Sequence, residues 1–159
     1  MEQLTLGVIG AGQMGCGIAQ VAASKGHRVI VQDISLEHAE RGIQKLGGGL
    51  ERLVAKGKMT GEEREALLAN LTPTGDLEAL AGADVVIEAA TEQQELKLEL
   101  FRKLDAICRP ETLLASNTSS ISITMLGAAT RRPDKVIGMH FMNPVPVMQL
   151  VEIIRGLAT

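Results

Sequence analysis

A chain of 159 residues suits one domain around a single core, and 45% apolar with 22% charged residues is the balance of a packed globule rather than a disordered segment. The formal net charge of -3 gives no electrostatic reason to bind nucleic acid or an anionic membrane surface, and no apolar run approaches the length of a membrane span. Two cysteines, Cys16 and Cys108, are too few and too far apart for a disulfide framework or structural zinc, and two phenylalanines without Trp or Tyr leave the core to Val, Ile, Leu, Ala and Met.

Met1-Glu2-Gln3 leads directly into Leu4 to Ile9, a short β-branched run without the basic segment and long apolar stretch of a secretory signal, so a soluble cytoplasmic protein is expected. That run reads as a strand. Glycines break it, and Met14, Ile18, Val21 and Ala22 then recur at helical spacing between Gln13 and Ser24. Lys25-Gly26 supplies a helix stop, and His27 to Gln32, centred on Val29-Ile30-Val31, reads as a second buried strand closing a parallel βαβ unit. From the candidate N-cap Ser35 a long amphipathic helix is expected through Lys56. A kink or irregular turn is expected at Gly47-Gly48-Gly49, since each glycine weakens a helix by about 0.5 to 1 kcal/mol relative to alanine.

Thr60-Gly61-Glu62-Glu63 has the pattern of a capped helix start, running to Asn70, and Leu71-Thr72-Pro73-Thr74 reads as an edge strand because proline cannot donate to a ladder. Asp76 to Leu80 is a short helix candidate, and Ala83 to Ala89 is a third continuous apolar strand. A helix follows from Gln93 to Cys108 and is ended by Pro110, after which Thr112 to Ala115, Val136 to Met139 and Met148 to Ile153 are strand candidates. Such alternation predicts an α/β fold of the Rossmann type, a doubly wound, mostly parallel sheet with helices on both faces, occupying residues 1–159 as one domain.

Gly10-Ala11-Gly12-Gln13-Met14-Gly15 matches G-x-G-x-x-G and lies between the first strand and the first helix, where a dinucleotide site requires it. Gly10 would permit the tight turn, Gly12 would admit a pyrophosphate to the backbone, and Gly15 would let helix and strand pack closely. Asp33 follows about twenty residues after Gly12, at the end of the second strand, where its carboxylate would accept hydrogen bonds from the adenosine ribose and repel a 2′-phosphate. NAD is therefore the expected cofactor. His27 and His38 are expected to face solvent without partners, and Cys16 to be a small packing residue.

The last third carries Ala115-Ser116-Asn117-Thr118-Ser119-Ser120, then Gly138-Met139-His140-Phe141-Met142-Asn143-Pro144-Val145-Pro146, then Leu150-Val151-Glu152. With the glycine turn, these segments resemble the L-3-hydroxyacyl-CoA dehydrogenase family over essentially the whole chain. The resemblance implies hydride exchange between NAD and a short-chain (S)-3-hydroxyacyl-CoA or its 3-keto partner, such as 3-hydroxybutyryl-CoA and acetoacetyl-CoA. It implies that His140 is the acid/base, a role imidazole suits because it titrates near working pH, and that Glu152 is its partner carboxylate. Glu152 within an apolar strand would be costly unless paired. By the same resemblance Ser119 hydrogen-bonds the substrate oxygen, Asn143 contacts substrate or nicotinamide, Glu92 and Lys97 contact the cofactor, Lys97 also the acyl-CoA, and Lys56 the CoA moiety. A serine that relatives use for CoA is replaced here by Gly49.

Members of this family continue into a mostly helical second domain that completes the cleft and makes most of a homodimer contact, so the chain is expected to be the N-terminal part of a longer enzyme. Two alternatives stay open: a NAD-binding module without turnover of its own, and a related dehydrogenase acting on a sugar acid.

Overall fold

The computed structural model describes residues 2–159; Met1 lies outside them. Seven strands form one sheet: β1 (Thr5–Ile9), β2 (Arg28–Gln32), β3 (Leu71–Thr74), β4 (Val85–Glu88), β5 (Leu113–Ser116), β6 (Val136–Phe141) and β7 (Val151–Arg155). Their order is β3-β2-β1-β4-β5-β6-β7, parallel throughout except that β7 runs antiparallel to β6. The order reverses between β1 and β4, and at this switch point the outgoing chains diverge to leave a crevice at the C-terminal strand ends. The helices are α1 (Gln13–Ser24), α2 (Leu36–Ala55), α3 (Gly61–Ala69), α4 (Gln94–Ile107) and α5 (Ile123–Ala128).

The continuous apolar runs are explained by two cores. Successive strand side chains point to opposite faces, so Val8, Ile87 and Ala115 join Ile18, Leu50 and Leu67 in one core, while their neighbours Ile9, Val86 and Leu114 join Phe101, Leu104 and Leu126 in the other. Both faces of the sheet are thus covered, as the doubly wound prediction requires.

Ser35 caps α2 by accepting from the His38 amide, and Thr60 and Glu63 form the reciprocal capping box foreseen for α3. β3 is the edge strand that Pro73 demands. The kink expected at Gly47-Gly48-Gly49 is absent: α2 runs unbroken from Leu36 to Ala55. Tertiary contact overrides the weak local propensity here, because Leu50 is buried and the Arg64 guanidinium of α3 donates to the Gly47 carbonyl at 3.3 Å.

Three further differences have local causes. α5 is not marked by a long apolar period, yet Ser122 caps it at the Met125 amide and Ile123 and Leu126 bury its inner face. The final strand begins at Val151 rather than Met148, since the Val147 and Met148 amides both donate to the Pro144 carbonyl in a turn while Val145 plugs the core. His27 and His38 do have partners: the His27 Nδ1 accepts from the Leu4 amide at 3.2 Å, and the His38 Nδ1 lies 2.7 Å from the Ser35 hydroxyl. Among the described residues no helix is long and apolar enough to cross a membrane, and no cluster of His, Cys, Asp and Glu is arranged to hold a metal ion.

Candidate active site

Everything the sequence singles out around the glycine turn lies at the crevice. Gly10 has φ of +102°, and its amide donates to the Gln32 carbonyl at 2.8 Å. A Cβ at Gly15 would stand 1.7 Å from the Gly10 carbonyl oxygen, so only glycine allows α1 to begin this close to β1, whereas a Cβ at Gly12 would meet nothing within 4 Å. The N-cap of α1 is Gly12, with no side chain satisfying the first-turn amides and no acid among them. Those amides face the crevice as free donors, reinforced by the helix dipole. Asp33 has a use the sequence did not disclose: its carboxylate accepts from the Ala11 amide and from the Ile34 amide, each at 2.7 Å, so it also braces the turn.

His140 stands at the end of β6 directly across from Glu152 on β7, and its Nδ1 lies 2.9 Å from the Glu152 carboxylate. An ionised carboxylate can only accept, so Nδ1 carries the hydrogen and Nε2 is left free to take or give a proton. Glu152 is not enclosed in apolar strand as expected: β7 is an exposed edge and the Glu152 side chain is half-exposed. Pairing orients it without the full penalty of burial.

His140, Ser119, Glu92 and Asn143 line one cavity of about 320 Å³ with Met14 and Ala90. Asn117 lines it as well, and its side-chain carbonyl accepts from the Phe141 amide at 2.8 Å, tying the end of β6 to the loop after β5. Sequence reasoning passed over Asn117, although its place inside Ser116-Asn117-Thr118 at a strand end is a signal. Gln13 Nε2 donates to Asn143 Oδ1 at 3.1 Å, joining the first turn of α1 to the loop after β6.

Lys97 differs from its expected place against acyl-CoA. Its side chain is 1% exposed and turned inward, with Nζ 2.5 Å from Glu88 Oε2, 3.3 Å from the Ala90 carbonyl and 3.4 Å from Glu92 Oε1. Two of the three ammonium hydrogens are bonded within the protein, and the Glu92 carboxylate closes the remaining side as an ion pair. Glu88, wholly buried at the end of β4, was hidden within an apolar run; it also accepts from the Ser116 hydroxyl at 2.6 Å and the Ala90 amide at 2.7 Å. Burial alone would raise the Glu92 carboxyl, but hydrogen bonds from the Thr118 and Ser120 hydroxyls and the Lys97 charge outweigh it and hold Glu92 below the ordinary range.

Two grooves flank this cavity. One, of about 300 Å³, lies beside Asp33 between Ile34, Leu77, Leu96 and Leu100. The other, of about 650 Å³, runs between α1 and α2 beneath Asn143 to Pro146, and Lys45, Gly49 and Arg52 line it. Lys56 is exposed just beyond the last turn of α2. Cys16 is buried, its thiol donating to the Ala11 carbonyl at 3.3 Å and pushed up to about 11 by burial and by the Asp33 charge, as a packing residue would be.

Residues 5–159 match the family model described as 3-hydroxyacyl-CoA dehydrogenase, NAD binding domain. The chain is 52% identical to 3-hydroxyadipyl-CoA dehydrogenase of Escherichia coli K12, covering 98% of this chain and 33% of that protein. It is likewise 52% identical to the probable 3-hydroxybutyryl-CoA dehydrogenase of Bacillus subtilis, covering 100% of this chain and 55% of the relative. Crystal structures of 3-hydroxybutyryl-CoA dehydrogenases from E. coli K12 and Ralstonia eutropha superpose with TM-scores of 0.96 at 51% and 46% identity, over 100% and 99% of this chain and 34% and 56% of theirs. The chain therefore spans between a third and just over half the length of the relatives it matches.

Proposed function

This chain belongs to the 3-hydroxyacyl-CoA dehydrogenase family, whose NAD-binding domain it matches, and from that premise we propose that the protein interconverts a short-chain (S)-3-hydroxyacyl-CoA and its 3-ketoacyl-CoA. The observation that supports this most directly is the His140–Glu152 pair opening onto a cavity beside the glycine turn. Bound NAD supplies the acceptor for the hydride that leaves C3 of the substrate.

The residues fit a dinucleotide by shape and charge. Open space at Gly12 is the volume a pyrophosphate would occupy, and the uncapped amides of α1 would donate to it. Ala11, Gln13 and Met14 complete the turn beneath it. Asp33 keeps acceptor capacity for ribose hydroxyls beside a groove whose apolar walls suit adenine, and its charge disfavours a 2′-phosphate. Glu92 would touch the nicotinamide end, with Lys97 acting behind it rather than on the substrate.

In oxidation His140 Nε2 takes the proton of the 3-hydroxyl as the C3–H bond yields its hydride and the C–O bond becomes a carbonyl. Glu152 stabilises the resulting imidazolium, and in the reverse direction the same imidazolium returns the proton. Ser119 and Asn143 would hold the reacting oxygen by hydrogen bonds, and Lys56 would pair with a CoA phosphate through a flexible ammonium. On this reading His140→Gln lowers kcat for acetoacetyl-CoA reduction by roughly 10² to 10⁴ while NADH still binds; near-normal kcat would identify another base.

A second reading is a NAD-binding module without turnover, since the uncapped amides of α1 and the Asp33 carboxylate provide for a dinucleotide without calling on His140. Assaying NADH binding and acetoacetyl-CoA reduction on one sample separates the two, since binding without reduction selects the module and the absence of both rejects the nucleotide site.

A further inference from the structure

Glu88 is the one wholly buried carboxylate at these strand ends, and proton and hydride transfer give it no task. We propose that Glu88, Lys97 and Glu92 form a row of anion, cation and anion whose surplus negative charge tilts the site's preference from reduced toward oxidised dinucleotide, with Glu88 as the positioning residue. The inference rests on the dinucleotide reading given above.

The row is closed within the protein. Lys97 Nζ reaches Glu88 Oε2 at 2.5 Å and Glu92 Oε1 at 3.4 Å, and among the described residues neither carboxylate is paired with any other cation. Two negative charges and one positive leave one negative charge over. Without Glu88, Lys97 would neutralise Glu92 and the wall would carry no net charge. With Glu88, Lys97 is held inward and the surplus persists.

The inner part of the row is dry, Glu88 being 0% and Lys97 1% exposed, so solvent and salt screen it weakly. It is also rigid. Glu88 Oε2 receives the Ala90 amide at 2.7 Å, Lys97 donates to the Ala90 carbonyl at 3.3 Å, and Ser116 holds the second Glu88 oxygen at 2.6 Å. Ala90 and Glu92 form the wall of the cavity that also holds Ser119 and His140. An oxidised nicotinamide carries a positive charge and a reduced one carries none, so a fixed negative charge in that wall acts on one redox form only. Glu152 adds a negative charge behind His140, half-exposed and therefore better screened, and it is common to every variant compared.

The test is calorimetric titration of NAD+ and of NADH into the wild type, Glu88→Gln, Glu92→Gln and the double variant Glu88→Gln/Lys97→Gln. The ratio of the NAD+ to the NADH dissociation constant should rise about tenfold in each single variant, a reasonable effect for one buried charge at an effective dielectric constant of about 20. It should return to within about twofold of wild type in the double variant, which again carries one surplus negative charge. An unmoved ratio, an equal loss for both redox forms, or a double variant that stays shifted would overturn the proposal. Should melting curves show Glu88→Gln unfolded, the partly exposed Glu92→Gln decides alone. A wild type that binds neither form rejects the nucleotide site itself rather than the charge row.

Discussion

Gly12 and Gly15 lack side chains for different reasons, and the difference is measurable. A methyl group at Gly15 would press on the Gly10 carbonyl at 1.7 Å, so Gly15→Ala should destabilise the fold by at least about 3 kcal/mol, the upper range for overpacking. A methyl group at Gly12 meets nothing in the protein, and the φ of -79° there is open to any residue. Gly12→Ala should therefore leave the thermal midpoint unchanged while weakening NADH binding about tenfold, because the backbone could no longer approach a pyrophosphate. Equal effects of the two substitutions on stability would contradict this division. Asp33 and the glycines were legible as residues because their chemistry needs particular side chains at particular spacings, whereas His140 was legible only through the family resemblance. Glu88 and Asn117 were not, since what they do is set by partners distant in the chain, at Lys97 and Phe141.

At the scale of elements, the helices are held by their ends as much as by their faces. The carbonyls at the C-terminal end of α4 receive no glycine cap; instead the Arg132 guanidinium donates to the carbonyls of Asp105, Cys108 and Arg109. Burial would raise the Asp105 carboxyl, but the Arg131 amide and the Arg132 and Arg131 guanidinium groups outweigh it and hold Asp105 below the usual carboxylate range. Its folded pKa being lower than its unfolded one, this group's contribution to stability is complete above about pH 4 and is lost as pH falls through the folded value. Arg132→Ala should cost about 3 kcal/mol in urea unfolding at neutral pH, and the deficit should shrink below about pH 4 as wild type also loses the interaction. A deficit that does not change with pH would show that Asp105 is not its source. The unbroken α2 belongs to the same scale, because three glycines in sequence argue for a break that Arg64 and the buried Leu50 prevent.

The whole molecule is a sheet with a separate core on each face, and Phe101 anchors the α4 side with no exposed surface. Phe101→Ala should cost about 3 to 5 kcal/mol by denaturant titration, and a smaller loss would mean that face can collapse onto the void. The sequence alone determined the strand-helix alternation, the parallel sheet and the glycine turn with Asp33, because each is written in local spacing or in a motif whose chemistry admits few substitutes, and it offered the acid/base candidates through the family resemblance. Only the tertiary structure decided that Lys97 turns inward to Glu88, that α2 runs straight, that β7 is an exposed edge, and that Asn117 holds the Phe141 amide. Those facts depend on which side chains meet after the strands are ordered in space. Pairing between residues distant in the chain leaves no periodicity in the sequence to reveal it.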